Sequence, residues 1–235
     1  MTRVLVPVAI LKGESPSAGL IDLLGSTDVT VLGYHVLPEQ TPPDQARAQF
    51  EDRAVSALKD LSEEFEAAGG DADHRLVFTH ERRTSIGRIA AETKSDAYTV
   101  SGATGSVERL LVPLSGDVAV ARIIGFVTDL IDGRDIAVTL LGTSTDGQSD
   151  RTLENAAAEL KTAGIDVATR SVAGKPFDAL VDAVAGHDAI VMGERAPSLA
   201  SFVFGDEAER VAAASVGPVL VVRDPSAEGV DSPTG

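Results

Sequence analysis

Two short apolar runs repeat along this chain, and the repeat restricts the folds that the chain can adopt. Residues 3–9 read R-V-L-V-P-V-A, and residues 109–115 read R-L-L-V-P-L-S. A second matching pair follows in the same order, S-D-A-Y-T-V-S-G at residues 95–102 and H-D-A-I-V-M-G at residues 187–193. Continuous apolar runs are typical of strands that are covered on both faces of a parallel sheet. The sequence therefore predicts two imperfect copies of one domain, each of about 110 residues.

Strand-like and helix-like segments alternate within each copy, which is the order found in parallel α/β sheets with right-handed crossovers. The predicted strands of the first copy are residues 3–9, 29–37, 75–79 and 97–101, and its predicted helices are residues 17–24, 42–68 and 85–93. The predicted strands of the second copy are residues 109–114, 135–141, 167–172, 189–192 and 218–222, and its predicted helices are residues 118–131, 151–163, 177–185 and 207–215. The long helix of the first copy has the spacing of an amphipathic helix, and its apolar face consists of Phe50, Ala54, Leu58, Leu61 and Phe65.

The first copy is shorter than the second at its end, because the helix and strand that should follow Gly102 are missing. We predict a truncated domain at residues 1–106 and a complete domain at residues 107–224. Residues 225–235 are rich in Ser, Pro, Gly and acidic residues, a composition typical of disordered tails. The missing strand leaves an open sheet edge, and such edges are normally covered. We expect this edge to pair with the other copy or with a second chain.

The acidic composition limits the partners of the chain. Its net charge is −16, spread along the whole sequence, and a surface this negative disfavours binding to DNA, RNA or anionic lipid. Dense surface carboxylates indicate adaptation to a salty cytoplasm, where salt screens their repulsion; the alternative is an acidic protein from an ordinary cytoplasm. The absence of cysteine excludes disulfides, thiol catalysis and cysteine-bound metals. No apolar run is long enough to span a bilayer and no signal-peptide pattern occurs, so we expect a cytoplasmic protein without membrane insertion.

Residues 188–223 combine two buried strands with two glycine turns. They read D-A-I-V-M-G-E-R-A, P-S-L-A-S-F-V-F, G-D-E-A-E-R-V and, after a short connection, G-P-V-L-V-V-R. A glycine turn that leads into a helix presents backbone amides to a phosphate. The residue after the second glycine is Asp206, however, and its carboxylate is a good helix N-cap that accepts the same amide protons. We predict that this anion site is filled by the carboxylate of the protein itself.

These motifs together resemble those of the universal stress protein family. The resemblance rests on V-L-V-P-V near the start of the first copy with its counterpart in the second, D-A-I-V-M-G, A-E-R-V and P-V-L-V-V-R, and it covers nearly the whole chain except the tail. It implies an α/β fold with two tandem parallel sheets of the five-stranded, adenine nucleotide alpha hydrolase-like type. The implied strand order is 3-2-1-4-5 in the complete copy, with the first copy truncated after its fourth strand. Many members of the family bind ATP at the carboxyl ends of the strands, others bind no nucleotide, and most act as dimers or tandem pseudo-dimers in stress responses or regulation.

The chain departs from the pattern of the ATP-binding members at two places. Those members carry an aspartate directly after V-P-V, where this sequence has Ala9 and Ser115. They also carry G-x-x-G, nine residues, and a glycine followed by Ser or Thr. The second copy has Gly193, then Ala196 in place of the second glycine, then eight residues before the next glycine. A side chain at Ala196 limits close approach of the backbone to a ligand.

Gly102 and Gly105 keep the glycine spacing in the first copy, but nothing after them matches the remainder of the pattern. The candidate nucleotide-binding residues that the resemblance implies are Pro113, Ser115, Val138, Gly193, Ala196, Gly205, Asp206 and Glu207 in the second copy, with Gly102 and Gly105 in the first. A phosphate about 4 Å from the Asp206 carboxylate would be repelled by roughly 1–4 kcal/mol per charge pair. The motifs are therefore degenerate for ATP.

Other chemical motifs give weaker signals. Neither the dinucleotide fingerprint nor the P-loop pattern occurs, and no nucleophile elbow is present. Asp71, Asp73, His74 and His80 lie close in sequence, but their spacing fits no standard metal site, and a solvated strand edge is the simpler interpretation. The basic residues 82–83 form either a solvated loop or an anion contact. The apolar residues 202–204 either pack into the vacated nucleotide pocket or contact a partner.

From these observations we expect a non-catalytic stress-response or regulatory protein with no metal and no bound cofactor. One alternative is a sensor that binds ATP or AMP in the second copy and regulates a partner such as a membrane transporter; a weak ATPase is another. The expected partners are a second copy of the chain, or the other half of an intramolecular pseudo-dimer, and a regulatory protein or transporter.

Overall fold

Strands and helices alternate along the chain, and the strand pairs within each half are parallel. A computed structural model describes residues 1–100, 102–114, 119–143, 147–196 and 217–224, with the side chains of 147–149 outside the description. The chain divides into two compact units, residues 1–106 and 107–235. The predicted α/β class with parallel sheets is confirmed. None of the described helices has the length and apolarity that crossing a bilayer requires.

The first unit forms a sheet with the order β3-β2-β1-β4. Its strands are β1 (Arg3–Val8), β2 (Asp28–Val36), β3 (Ala72–Thr79) and β4 (Ala97–Val100); its helices are α1 (Ala18–Leu23), α2 (Pro43–Ala68) and α3 (Arg82–Glu92), with a short 3-10 helix at Ile10–Lys12. The chain moves from β1 to β2 and β3, and then returns to the other side of β1 to form β4. The topological switch point, where ligands bind in open α/β sheets, therefore lies between β1 and β4.

The second unit forms a sheet with the order β9-β8-β5-β6-β7, so its switch point lies between β5 and β8. Its described strands are β5 (Arg109–Pro113), β6 (Ala137–Thr143), β7 (Val167–Val172), β8 (Ala189–Gly193) and β9 (Val219–Val222), and its described helices are α4 (Val120–Ile131), α5 (Gly147–Thr162) and α6 (Pro176–Val184). The predicted helix at 207–215 and the predicted tail at 225–235 lie outside the described residues.

Helix α2 packs its predicted apolar face onto the first sheet. The buried side chains of this face include Ala54, Leu58, Leu61 and Phe65. Phe50 is only half-buried and packs against a satellite cluster of Leu37, Ala46 and Phe78. The helix ends at Ala68 and is capped by Gly69, whose φ of 119° is a conformation that glycine adopts without strain.

The start of β3 differs from the prediction. The strand was predicted from Arg75 onwards, but it begins at Ala72, because Asp73 pairs with Thr30 and His74 pairs with Val31 of β2. Polar residues occupy this part of β3, so the apolar pattern that marks a strand is absent there. Pairing with the neighbouring strand outweighs the weak strand preference of the residues themselves.

The second repeated motif of the sequence has a structural cause at the amino ends of the strands. In the first unit, Asp96 donates its N–H to the Arg3 carbonyl (2.8 Å), and its carboxylate accepts the Arg3 N–H (3.0 Å). In the second unit, Asp188 bonds to Arg109 in the same two ways, at 2.9 Å each, and also accepts the N–H of Glu108 at 3.0 Å. Each aspartate fixes the first residue of the neighbouring strand.

Replacing Asp188 with alanine removes acceptors from two backbone N–H groups at the start of β5. We expect Asp188→Ala to lower the free energy of unfolding by about 1.5–3 kcal/mol, because hydrogen bonds to a charged group contribute about that much. Urea denaturation followed by circular dichroism measures the change. Asp135→Ala is the control, since Asp135 is an exposed aspartate in a loop of the second unit and its loss changes the net charge equally. An equal effect of the two substitutions would contradict the role given to Asp188.

Candidate functional site

The switch point of the first unit holds a small cavity at the carboxyl ends of β1 and β4. The cavity has a volume of about 40 Å³ and is lined by Val6, Pro7, Val8, Glu14, Ser15, Pro16, Leu20, Thr99 and Gly102. Cavities that bind small molecules usually have volumes of about 300–1,000 Å³. The space at this switch point therefore fits a few water molecules and falls far short of a nucleoside.

A carboxylate bonds to the backbone at the end of β1. Glu14 lies in the connection between the 3-10 helix and α1, and its Oε2 accepts the N–H of Ala9 at 2.7 Å. At the position of Ala9, the ATP-binding members of the family that this sequence resembles carry an aspartate. The buried backbone N–H at this position is therefore satisfied by an acid from the following loop, and that acid also lines the cavity.

The glycine segment that follows β4 packs against the amino end of α1. The N–H of Thr104 donates to Ser17 Oγ at 3.2 Å, and the Thr104 carbonyl accepts the N–H of Gly19 at 3.3 Å. Ser17 is also the N-cap of α1 and accepts the N–H of Leu20 at 3.4 Å. A Cβ at Gly19 would stand only 2.7 Å from the Thr104 side chain, so the two segments need a glycine at this contact. The Gly19 amide is thus occupied by this segment and the Leu20 amide by the N-cap, which leaves neither for an anion.

Tyr34 and Arg82 lie on the β2 side of the same sheet edge. Tyr34 is buried on β2, and the Arg82 guanidinium carbon lies 4.9 Å from the centre of its ring. Burial raises the pKa of the Tyr34 phenol above its ordinary value of 10.0. The positive charge of Arg82 opposes this increase in the pKa, and the negative charge of Glu14 adds to it. Glu14 therefore acts electrostatically on Tyr34 as well as on the cavity.

In the second unit, the residues after β8 form a turn that is tied to the end of β9. Ala196 donates its N–H to the Gly193 carbonyl at 2.9 Å, which closes the turn. Glu194 donates its own N–H to the Val222 carbonyl at 2.8 Å, and its Oε2 accepts the Asp224 N–H at 3.1 Å. Arg195 forms an ion pair with Asp224 at 3.6 Å. A glutamate from a loop thus satisfies a backbone N–H here too.

Three arginines lie at this end of the second unit. Arg122 Nη1, near the start of α4, donates to the Arg223 carbonyl at 3.4 Å, and Arg223 itself is buried. A cavity of about 10 Å³ is lined by Ala119, Ile123, Gly193, Glu194, Arg195, Val222, Arg223 and Asp224. This volume is close to the least that holds one water molecule. Arg195 and Arg223 line this cavity together with Glu194 and Asp224, so the edge carries charges of both signs.

Two of the predicted site residues of the second unit lie together at the carboxyl edge of its sheet, and a third lies at the opposite end. Pro113 ends β5 and Gly193 ends the adjacent strand β8, so both lie at the carboxyl edge beside the switch point. Val138 is buried near the amino end of β6, at the opposite end of the sheet, and is not brought to this edge. Ser115, Gly205, Asp206 and Glu207 lie outside the described residues, as do residues 202–204. The predicted filling of the anion site by Asp206 thus stays a prediction.

The polar residues noted between 71 and 80 do not converge on a common point. His74 faces α2, where its Nδ1 lies 3.4 Å from Ser62 Oγ, while His80 Nδ1 lies 3.3 Å from the Leu37 carbonyl. Within the described part of the chain, no group of three or more His, Asp or Glu side chains is arranged to hold a metal.

Glu14 and Glu194 are the important residues that the sequence did not reveal. Each reaches a backbone N–H through a loop, and no periodic pattern marks such a contact. The only sequence signal for Glu14 is its position as an acid shortly after the strand that lacks the expected aspartate. The chain offers a comparable signal for Glu194, which directly follows the glycine turn.

Comparisons with known proteins give a family match for the second unit and structural matches for most of the chain. Residues 130–223 match the model of the Universal stress protein family. The chain is similar to a universal stress protein from Archaeoglobus fulgidus, with 17% identity, a TM-score of 0.63, and coverage of 94% of this chain and 96% of that one. It also resembles the cytoplasmic domain of a prokaryotic cation chloride cotransporter, with 12% identity, a TM-score of 0.52, and coverage of 95% of both chains.

A universal stress protein in complex with cAMP matches over 50% of this chain and 98% of its own, with 23% identity and a TM-score of 0.38. No curated protein matches the sequence. The two longer structural matches show a shared fold, and the family match supports the resemblance to universal stress proteins.

Substitutions around Tyr34 test the electrostatics of the first unit's edge. We expect Glu14→Gln to lower the pKa of the Tyr34 phenol and Arg82→Gln to raise it, because each removes a charge that acts on the phenolate. Ultraviolet absorbance during a pH titration reports phenolate formation. The chain has two tyrosines, so the spectrum of Tyr34→Phe identifies the other one, Tyr98. An unchanged Tyr34 pKa in Glu14→Gln would place Glu14 too far away to act on it.

The same shift has a consequence for stability. A phenol whose pKa is raised by folding stabilises the native state fully below the unfolded value of about 10, and this contribution is lost as the pH rises through the folded pKa. We expect the free energy of unfolding of the wild type to fall more steeply above pH 10 than that of Tyr34→Phe. Urea denaturation at a series of pH values measures both slopes, and parallel curves would contradict the assignment.

Proposed function

We propose that this chain is a non-catalytic regulatory protein of the universal stress protein family that does not depend on a bound nucleotide. The observation that carries the proposal is the hydrogen bond from the Ala9 N–H to Glu14 Oε2 at 2.7 Å. This bond places a negative charge at the switch point, where a ligand of an open α/β sheet would bind. A phosphate about 4 Å from that carboxylate would be repelled by roughly 1–4 kcal/mol per charge pair.

The contacts of α1 support the same conclusion. The N–H groups of Gly19 and Leu20 point to the Thr104 carbonyl and to Ser17 Oγ, which are both neutral partners from the protein. An anion would have to displace these acceptors before it could use the helix amides. The 40 Å³ cavity leaves no space for an adenosine without a rearrangement of the surrounding loops. In this proposal, the first unit serves as a scaffold for contacts with other proteins.

The second unit favours a different candidate function, a sensor of ATP or AMP. Arg122, Arg195 and Arg223 lie beside the Gly193 turn at the carboxyl ends of β8 and β9. Guanidinium groups are the preferred protein partners of phosphate, because they pair with it through two parallel hydrogen bonds. The arginines thus favour an anion at the edge where the sequence departs from the ATP-binding pattern at Ala196. The predicted Asp206 carboxylate acts against this candidate.

The partner that we propose is a protein, because a chain with a net charge of −16 repels nucleic acids and anionic membranes. A second copy of the chain is the first candidate, in keeping with the dimers that the family resemblance implies. A membrane transporter is the second, and the cotransporter domain with the same fold suggests that class. The expected setting is a salt-rich cytoplasm under stress, where screening weakens the repulsion between acidic surfaces.

Nucleotide titration of three full-length proteins separates the two candidates. ATP and AMP are titrated into the wild type, Glu14→Gln and Arg195→Gln by isothermal calorimetry, both in dilute buffer and in molar KCl. We expect no saturable heat with the wild type or with Arg195→Gln. Glu14→Gln keeps an acceptor for the Ala9 N–H and removes the negative charge. Any gain of nucleotide affinity in this variant therefore measures how strongly the Glu14 charge repels the nucleotide.

Each other outcome selects a different function. Saturable binding to the wild type that Arg195→Gln weakens favours the nucleotide sensor. Binding that Arg195→Gln leaves unchanged and Glu14→Gln strengthens places an open nucleotide site in the first unit and contradicts the proposal. Steady release of phosphate from ATP above background, abolished in Gly205→Val, would identify a weak ATPase.

A further inference from the structure

Three buried side-chain oxygens of the described residues have no hydrogen-bond partner, and all three belong to the paired strands β2 and β3. They are Asp28 Oδ1, Thr30 Oγ1 and Asp73 Oδ1. Buried polar atoms are almost always paired in folded proteins, so each exception needs an explanation. Their occurrence at one place indicates a common missing partner.

The strand register brings the three residues to one face of the first unit's sheet. Thr30 and Asp73 are direct partners in the β2–β3 ladder, on strands that lie about 4.8 Å apart. Asp28 precedes Thr30 by two residues, so its side chain points to the same face about 6.6 Å away along the strand. The set lies at the amino ends of the strands, opposite the switch point.

The chain itself supplies few hydrogen-bond donors for this set. Arg3 Nη2 lies 3.6 Å from Asp28 Oδ2, the other oxygen of that carboxylate. Arg75 follows Asp73 by two residues, and its Nη1 donates to the His74 carbonyl at 3.1 Å. Thr30 is fully buried and its hydroxyl can donate only one proton. Several oxygen lone pairs therefore remain for an outside partner.

We propose that Asp28, Thr30 and Asp73 bind one hard metal cation through their oxygens, with water completing the coordination. Carboxylate and hydroxyl oxygens are the ligands of cations such as Ca²⁺ and Mg²⁺, which also retain water when the protein supplies few ligands. The site has only two acidic residues, so it differs from the three-acid arrangements typical of tight structural sites. It also differs from the group at residues 71–80, because His74 lies on the opposite face of the sheet towards α2. The proposal is independent of any nucleotide at the other end of the sheet.

Thermal unfolding of the full chain tests the proposal with CaCl₂, MgCl₂ and KCl in separate series. Choline chloride at matched ionic strength is the reference in each series, because any salt screens the repulsion within a chain of net charge −16. We expect at least one of the three cations to raise Tm saturably above this reference. At a concentration of 100 times Kd, the rise should be roughly 5 °C or more.

Two variants and a matched control make the result specific. Asp73→Asn and Thr30→Val should abolish the saturable rise in Tm, whereas Asp60→Asn should retain it. Asp60 is an exposed acid of α2, which packs on the opposite face of the sheet, so its substitution changes the net charge equally without touching the site. In EDTA and choline chloride, Thr30→Val should be at least as stable as the wild type, because it removes a buried hydroxyl that has no partner.

Three outcomes would overturn the proposal. One is a Tm that follows ionic strength alone for every cation, and another is a saturable rise that survives in both Asp73→Asn and Thr30→Val. The third is a high-resolution crystal structure, grown at saturating cation, that places only a water molecule among the three oxygens. A cation with oxygen distances of about 2.3–2.6 Å for Ca²⁺, or about 2.0–2.1 Å for Mg²⁺, would confirm the site.

Discussion

Backbone N–H groups at the carboxyl ends of parallel strands and at helix amino ends must find acceptors, and the source of those acceptors sets what each unit can bind. In the first unit, Glu14 supplies the acceptor for Ala9, and the segment around Thr104 supplies the acceptor for Gly19. In the second unit, Glu194 accepts the N–H of Asp224. A ligand that relies on such amides competes with bonds that are already made, so its affinity depends on what it offers beyond them.

Parallel pairing gives the two ends of each sheet different properties. At the amino ends, Asp96 and Asp188 hold the starts of β1 and β5 through hydrogen bonds in both directions. At the carboxyl ends, the carboxylates of Glu14 and Glu194 each accept one backbone N–H from a loop position. The aspartates directly precede β4 and β8 and bond to the starts of the neighbouring strands, whereas the glutamates lie in longer connections. The carboxyl ends, where the strands of an open sheet leave a crevice, are thus held by loop side chains, and the amino ends by residues that adjoin the strands.

The sequence predicted the features that follow from periodicity and repetition. The alternation of strands and helices, the buried face of α2 and the matching positions of Asp96 and Asp188 all have clear patterns. The early start of β3 had none, because Asp73 and His74 are polar and join the sheet only through pairing with β2. The contact between Glu14 and Ala9 was equally hidden, since it depends on the path of a loop. Val138 is implied by the family resemblance alone, and its place near the amino end of β6 depends on a strand register that the sequence does not reveal.

The effect of the hydrogen bond between Glu14 and the Ala9 N–H on anion affinity can be given an upper and a lower limit. A hydrogen bond to a charged acceptor contributes about 1.5–3 kcal/mol net, and each 1.4 kcal/mol corresponds to a factor of ten in affinity. The need to displace Glu14 would therefore lower the affinity for an anion by roughly ten- to a hundredfold, before any charge repulsion is counted. That factor is too small to exclude a ligand with many other contacts, but the 40 Å³ cavity provides room for few of them. The negative charge of Glu14 and the small volume of the cavity thus both oppose the binding of an anion. A ligand would have to move the loop that carries Glu14 to overcome either obstacle.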